Sequence, residues 1–200
     1  MKTIVLDKTN LENTISAAAE IIRAGGMVVL PFDTVYGIVC DPTNNEAIER
    51  ISNLKSRNPE KTMGLVAYSV LELQEIAIIS PKAEEFIMER TPGKYTFIVK
   101  EKEGNNISNL CKRGETIGIR IPDSQLVLGL AHAVGGFLAQ TSANKSGMGN
   151  AYSVSEVLFQ FSSDETKKID LIIDGGELEI SPASDLWNLS GETFQKIERS

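Results

Sequence analysis

Two cations one residue apart, Lys55 and Arg57, and a run of small polar residues, Thr141-Ser142-Ala143-Asn144-Lys145-Ser146-Gly147, are the parts of this sequence best suited to chemistry. Lys supplies a mobile point charge and Arg a planar fork of donors, so the pair suits phosphate oxygens. Ser, Asn and Gly accept turn geometry, so the second run lets hydroxyls, a carboxamide and backbone N–H groups converge on one small polar ligand. Together they imply a nucleotide site that needs no histidine. Lys61 adds a third cation on a segment that Asn58-Pro59 holds out of regular structure. Three cations on an irregular loop suit a polyanion. The competing reading of Lys55 and Arg57 is a cationic helix end that complements the macrodipole.

Other polar residues fall at strand ends, where backbone groups run out of ladder partners and can face a ligand. Arg120 ends one strand and Thr116 starts it, so both can reach the same cleft; the plainer reading of Arg120 is a surface salt bridge. Asp33 and Thr34 follow another strand, where they either face a ligand or satisfy a turn. His132, the one histidine, lies on an apolar helix with Leu126, Leu130 and Val134 and reads as structural.

The elements that must position these groups are legible. Ser or Thr followed three residues later by Glu marks capping boxes at Thr9/Glu12, Thr43/Glu46, Ser69/Glu72 and Ser153/Glu156. Leu11, Ile15, Ala18, Ala19 and Ile22 keep helical spacing up to Gly25-Gly26. Ala47, Ile48, Ile51 and Leu54 do the same after the second box, Ser80-Pro81 opens a further helix, and another spans 124–134. Apolar runs at 27–30, 36–39, 63–67, 95–99, 117–120, 137–139, 171–173 and 194–197 read as strands. The alternation predicts one α/β domain over residues 1–200, built on a twisted, mixed sheet, because several strands lie too close together for helical crossovers. The polar, Asn-rich stretch 101–115 reads as a mobile loop.

Composition narrows the function classes. The 200 residues are 42% hydrophobic, which suits one core, and a net charge of −7 argues against broad electrostatic binding of nucleic acid. No apolar run reaches membrane-helix length and residues 1–7 lack a signal-peptide core, so a cytoplasmic protein is expected. Cys40 and Cys111 read as reduced, structural thiols, with no spacing that suits zinc. Pro92-Gly93-Lys94-Tyr95 is a false match to a phosphate-binding P-loop, since position 88 is Met and Tyr follows the Lys. Neither G-x-G-x-x-G nor G-x-S-x-G occurs.

Taken in order, Pro31-Phe32-Asp33-Thr34-Val35-Tyr36-Gly37, Lys55-Ser56-Arg57-x-Pro59-x-Lys61, Pro92-Gly93-Lys94-Tyr95-Thr96, Gly118-Ile119-Arg120-Ile121-Pro122, Thr141 to Gly147 and Asp174-Gly175-Gly176 resemble the landmarks of the YrdC family of threonylcarbamoyl-AMP synthases. The resemblance runs from about residue 10 to the end. It implies an open α/β fold with a concave, locally positive cavity. It also implies the joining of L-threonine, bicarbonate and ATP with release of pyrophosphate, in service of a threonylcarbamoyl modification of tRNA. ATP would bring Mg²⁺, and tRNA and the proteins of threonylcarbamoyl transfer become candidate partners.

The resemblance assigns Lys55, Arg57 and Lys61 to the phosphates or the bicarbonate-derived carboxylate, and Ser142 and Asn144 to the nucleotide or intermediate. Thr34, Thr116, Arg120 and Ser181 would hold threonine, and Arg199 would close over the nucleotide. Three positions depart from the family pattern: Phe32 stands for Thr, Thr62 for Pro, and Ser181-Pro182-Ala183-Ser184-Asp185-Leu186 only partly keeps Ser-Thr-Val-Val-Asp-Leu. The stretches 92–97 and 169–173 resemble the paralogous YciO branch. A YciO-like activity on a related compound and a non-catalytic RNA-binding module are the alternatives. The further C-terminal domain of longer family members is not expected here.

Overall fold

The computed structural model describes residues 2–58 and 61–198. Its strands are β1 (Lys2–Val5), β2 (Val28–Pro31), β3 (Tyr36–Cys40), β4 (Gly64–Ala67), β5 (Ala77–Ile78), β6 (Tyr95–Glu101), β7 (Lys112–Arg113), β8 (Thr116–Arg120), β9 (Phe137–Ser142), β10 (Leu171–Asp174), β11 (Asp185–Asn188) and β12 (Gln195–Ile197). The helices are α1 (Leu11–Arg23), α2 (Asn45–Leu54), α3 (Val70–Ile76), α4 (Pro81–Met88), α5 (Gln125–Ala133), α6 (Val154–Phe159) and α7 (Ser163–Thr166). One sheet runs β1-β10-β2-β3-β9-β4-β8-β6-β11-β12, with β5 added to β6 and β7 to β8. It is mixed, as the strand spacing predicts: β10 is parallel to β1 and β2, whereas β3 is antiparallel to β2 and β9.

Strand side chains alternate between two faces, and each face has its own core. Val28, Leu30, Val39, Val66 and Leu138 lie under α1 and α5. Val29, Ile38, Cys40, Leu65 and Ala139 share the other core with Ala47, Ile48 and Ile51 of α2. Gly37, Gly64, Gln140 and Ser142 are an even number of residues from Val39, Val66 and Leu138, so they share the α1/α5 face. There they line a cavity. The helices cover one half of this face and leave the other half bare.

Helix starts follow sequence chemistry with two corrections. Ser69, Ser80, Ser124 and Ser153 each accept a bond from a first-turn backbone N–H. Thr9 and Thr43 do not cap, because Asp7 and Asp41 accept their hydroxyls; Asn10 and Asn44 become the cap residues, and Asn44 accepts from the Ala47 N–H at 3.0 Å. A full capping box forms instead at Ser162/Glu165.

The 101–115 stretch also differs from its expected character as a free loop. Ile107 and Cys111 are buried, the Met63 N–H donates to Leu110 O, and Lys112–Arg113 pairs with β8. Two apolar side chains four residues apart anchor a run that its polar neighbours make look untethered.

Candidate active site

The bare half of the sheet face bounds an open cavity of ≈460 Å³. Its floor is set by register: Gly64 lies opposite Gln140, Gly37 opposite Ser142 and Ile98 opposite Gly118, all on one face. Arg57, Lys61, Arg113 and Arg120 line it, and among the described lining residues there is no Asp or Glu. A chain of net charge −7 thus concentrates positive charge in one hollow, where low-dielectric walls focus the field.

Lys55 and Arg57 part company at Ser56. The Arg57 N–H donates to Ser52 O and the Ser56 N–H to Asn53 O, a Schellman ending of α2 that puts Ser56 at φ +49. The left-handed residue turns the two cations to different tasks. Lys55 is buried and its Nζ donates to Ser142 O, to Asn144 O at 2.6 Å and to Asn144 Oδ1 at 3.1 Å. Three acceptors use all three ammonium protons, and Lys55 does not line the cavity. Burial, with the like charge of Arg57, pulls its pKa from 10.5 down to about 7. Because a Cβ at φ > 0 costs about 1–2 kcal/mol, offset in part by the entropy glycine loses on folding, Ser56→Gly should stabilise the protein by about 0.5–1 kcal/mol in denaturant unfolding without altering ligand binding.

Arg57 reaches the cavity wall. Its Nη1 donates to Thr141 Oγ1 at 2.8 Å, its Nη2 to Thr62 O at 2.6 Å and its Nε to Lys61 O at 2.9 Å. The guanidinium therefore clips the 61–62 segment to β9 and brings Lys61 to the rim. Across the joint, Asn144 accepts from Ser142 Oγ and donates to Met148 O at 2.7 Å. Asn144 is buried beside Lys55, while Ser142 and Asn150 line the hollow. The two sequence signatures thus meet, with Lys55 and Asn144 as the joint beneath the cavity and Arg57, Lys61 and Ser142 on its surface.

At the other end, Arg120 Nη2 bonds Asp33 Oδ1 at 2.7 Å and Nη1 reaches Thr34 Oγ1 at 3.4 Å. Both members of this ion pair are buried, with side chains 7% and 5% exposed, so it is not the surface bridge that composition allows. Asp33 also accepts from the Asp123 N–H at 3.1 Å and so holds the turn before α5. Thr34 and Thr116 line the cavity, and Thr116 Oγ1 donates to Arg113 O at 2.8 Å. Ser181 lies outside the lining and its Oγ reaches Thr34 O at 3.4 Å. Arg199 falls outside the described residues.

Sequence reasoning missed Arg113, carried by a two-residue strand whose only signal is the Lys112-Arg113-Gly114 turn. It also missed Thr96 and Ser184, which line the hollow. His132 is exposed and stacks on Tyr68, ring centroids 4.5 Å apart, away from the cavity. Cys40 and Cys111 are buried, and burial pushes both thiols up, Cys111 to about 12, so both are protonated and unreactive at neutral pH. Among the described residues no helix is long and apolar enough to cross a membrane.

A family model described as "Telomere recombination" (Sua5_yciO_yrdC) matches residues 20–200. The chain belongs to the Sua5/YciO/YrdC family. Members similar to it include the threonylcarbamoyl-AMP synthase of Mus musculus, 31% identical over 172 residues that make up 86% of this chain and 59% of the mouse protein. The uncharacterized protein YciO of Escherichia coli is 30% identical over 86% of this chain and 82% of its own. The crystal structure of P. abyssi Sua5 complexed with L-threonine superposes with a TM-score of 0.85 at 26% identity, covering 98% of this chain and 56% of that one. The chain therefore spans less than two thirds of the length of the mouse and P. abyssi relatives.

Proposed function

We propose that this chain makes threonylcarbamoyl-AMP from L-threonine, bicarbonate and ATP, releasing pyrophosphate and, as the amine takes up bicarbonate to form the carbamate, water. The observation that carries the reading is the cavity itself: four cations with no carboxylate among the described lining residues, Arg57, Lys61 and Arg113 gathered at one end and at the other a buried Arg120–Asp33 pair beside Thr34. Its ≈460 Å³ lies within the roughly 300–1,000 Å³ of small-molecule sites. The names of the mouse synthase and of Sua5 with L-threonine support the same reading.

On this reading Arg57, Lys61 and Arg113 take the triphosphate, Ser142 and Asn150 the nucleotide, and Thr34, Thr116 and Arg120 the amino acid. Lys55 and Asn144 position these groups without touching substrate. The carbamate oxygen of carboxylated threonine attacks the α-phosphorus as the bond to pyrophosphate breaks. The protein aligns two anions and neutralises the leaving charge, which needs no covalent nucleophile. The described lining offers no carboxylate to a metal, so Mg²⁺ arrives bound to the triphosphate as part of the substrate. The product would feed tRNA modification through the proteins that transfer the threonylcarbamoyl group.

Mass spectrometry of a reaction holding ATP, bicarbonate and threonine tests this. Threonylcarbamoyl-AMP whose formation needs all three is the expected result. Nucleotide turnover that ignores threonine would overturn it and favour a second reading, a YciO-like activity on a related carbamoylated or adenylylated compound. That reading draws on the likeness to E. coli YciO, whose structure superposes with a TM-score of 0.83 over 98% of this chain and 93% of its own.

A further inference from the structure

The cavity floor holds a polar head group that the assignments to nucleotide, triphosphate and amino acid leave unused. Gln140 of β9 is half-buried, lines the hollow and, among the described residues, has no hydrogen-bond partner. Its side chain lies across Gly64 of β4: a Cβ at that glycine would fall 2.6 Å from Gln140 Nε2 and 3.6 Å from its Cδ. Leu65 pairs with Ile119, so Gly118 of β8 is level with Gly64, and a Cβ at Gly118 would meet nothing within 4 Å. The carboxamide thus reaches from β9 over β4 and borders bare backbone on the β8 side.

The place of Gln140 in this row decides what it can touch. In the proposed function Ser142, two residues along β9 on the same face, serves the nucleotide, while Thr116 and Arg120, either side of Gly118 on β8, serve the amino acid. β4 is the strand between β9 and β8. The atoms that join the two substrates then pass above Gly64, beside the amide. Lys and Arg only donate hydrogen bonds, whereas a carboxamide presents an acceptor oxygen and two N–H donors in one plane. An amino-acid carbamate presents the complement, an N–H and, cis to it on the same carbon, an oxygen. Pairing of the two edges leaves the second carbamate oxygen free to face phosphorus.

We propose that Gln140 is a further catalytic residue, whose carboxamide holds the carbamate of the carboxylated amino acid edge to edge and aims its other oxygen at the α-phosphorus. This role deepens the proposed function and rests on it. It is distinct from the tasks of Arg57, Lys61 and Arg113 on the triphosphate, which cations perform by donating alone.

The test is threonylcarbamoyl-AMP formation at varied bicarbonate, with ATP and threonine saturating, for wild type, Gln140→Met and Gln140→Glu. Because the amide bonds nothing in the fold, Gln140→Met should keep the wild-type unfolding midpoint and bind a non-hydrolysable ATP analogue with calorimetric affinity within about twofold of wild type. Its kcat/KM for bicarbonate should fall about 10- to 100-fold, the range for lost hydrogen bonds to a charged group. Gln140→Glu should fall further, since its carboxylate keeps the shape of Gln but repels the carbamate.

A Gln140→Met protein within about threefold of wild type for bicarbonate overturns the proposal, because a side chain that merely fills space is replaced by Met at little cost. An equal loss of affinity for the ATP analogue overturns it as well, by making the residue a nucleotide contact, and so does a lowered unfolding midpoint that accounts for the lost turnover. A wild type that forms threonylcarbamoyl-AMP beside unimpaired variants fails this role alone; a wild type that forms none fails the proposed function, and the role with it.

Discussion

Lys55→Met is expected to lower the free energy of unfolding by about 2–4 kcal/mol, because two buried oxygens of Asn144 and a part-buried one of Ser142 lose their donor at a cost of about 1–3 kcal/mol each, partly relieved by relaxation. The damage reaches function through position. Ser142 lines the cavity and Asn144 holds Met148, so loosening the joint moves the 142–150 wall away from the Arg57 side. Turnover should fall at least about tenfold while the residual activity keeps its KM for threonine, whose contacts the proposed function puts at the Arg120 end.

The pH dependence has a definite sign. Lys55 has a folded pKa of about 7 against 10.5 for the free side chain, so between those values the unfolded chain binds the proton more readily. Stability from this site therefore rises with pH across that window, and the deficit of Lys55→Met relative to wild type should be larger at pH 9 than at pH 7. Denaturant unfolding at the two pH values checks it; a deficit that shrinks contradicts the assignment.

Gly118→Val should show the opposite pattern, a loss of function without loss of stability. The residue is in β8, its Cβ would meet nothing within 4 Å, and its backbone carries no left-handed strain. Valine also suits a strand better than glycine does. The new side chain would stand in the middle of the cavity floor, opposite Ile98 and between Thr116 and Arg120. Thermal unfolding should stay within about 0.5 kcal/mol of wild type, whereas kcat/KM should fall at least about 100-fold, or ~2.7 kcal/mol. Gly37 and Gly64 would not serve, since a Cβ there falls 2.4 Å from Phe32 and 2.6 Å from Gln140, and a fold defect would confound the reading.

The reasons for what the sequence revealed are local. Alternating or continuous branched runs make β2, β3, β4, β6, β8 and β9 visible, and their ends move by only one to three residues because ladders fray. Strand β1 escaped because it is an edge with mostly exposed side chains and so lacks the apolar signal of a buried strand. Caps were misassigned at Thr9 and Thr43 because an Asp two residues earlier captures each hydroxyl, a competition that the spacing rule does not include.

Some members of the candidate site were legible, but not their division of labour. Residue types named Lys55, Arg57, Ser142 and Asn144, and the fold gathers them. Nothing in Lys55-Ser56-Arg57 tells which cation turns inward; that depends on the left-handed Ser56 and on the carbonyls of a strand far away in sequence. Arg113 was invisible because its stretch is tied down by Ile107 and Cys111, whose partners lie across the fold.

A crystal structure with a non-hydrolysable ATP analogue and L-threonine tests the central claim most directly. The account predicts the triphosphate within hydrogen-bond distance of Arg57 and Lys61, and threonine among Arg120, Thr34 and Thr116. Ligands bound elsewhere, for example in the recess of Thr43, Glu49 and Asn106 beside the start of α2, with the sheet cavity empty, would contradict it.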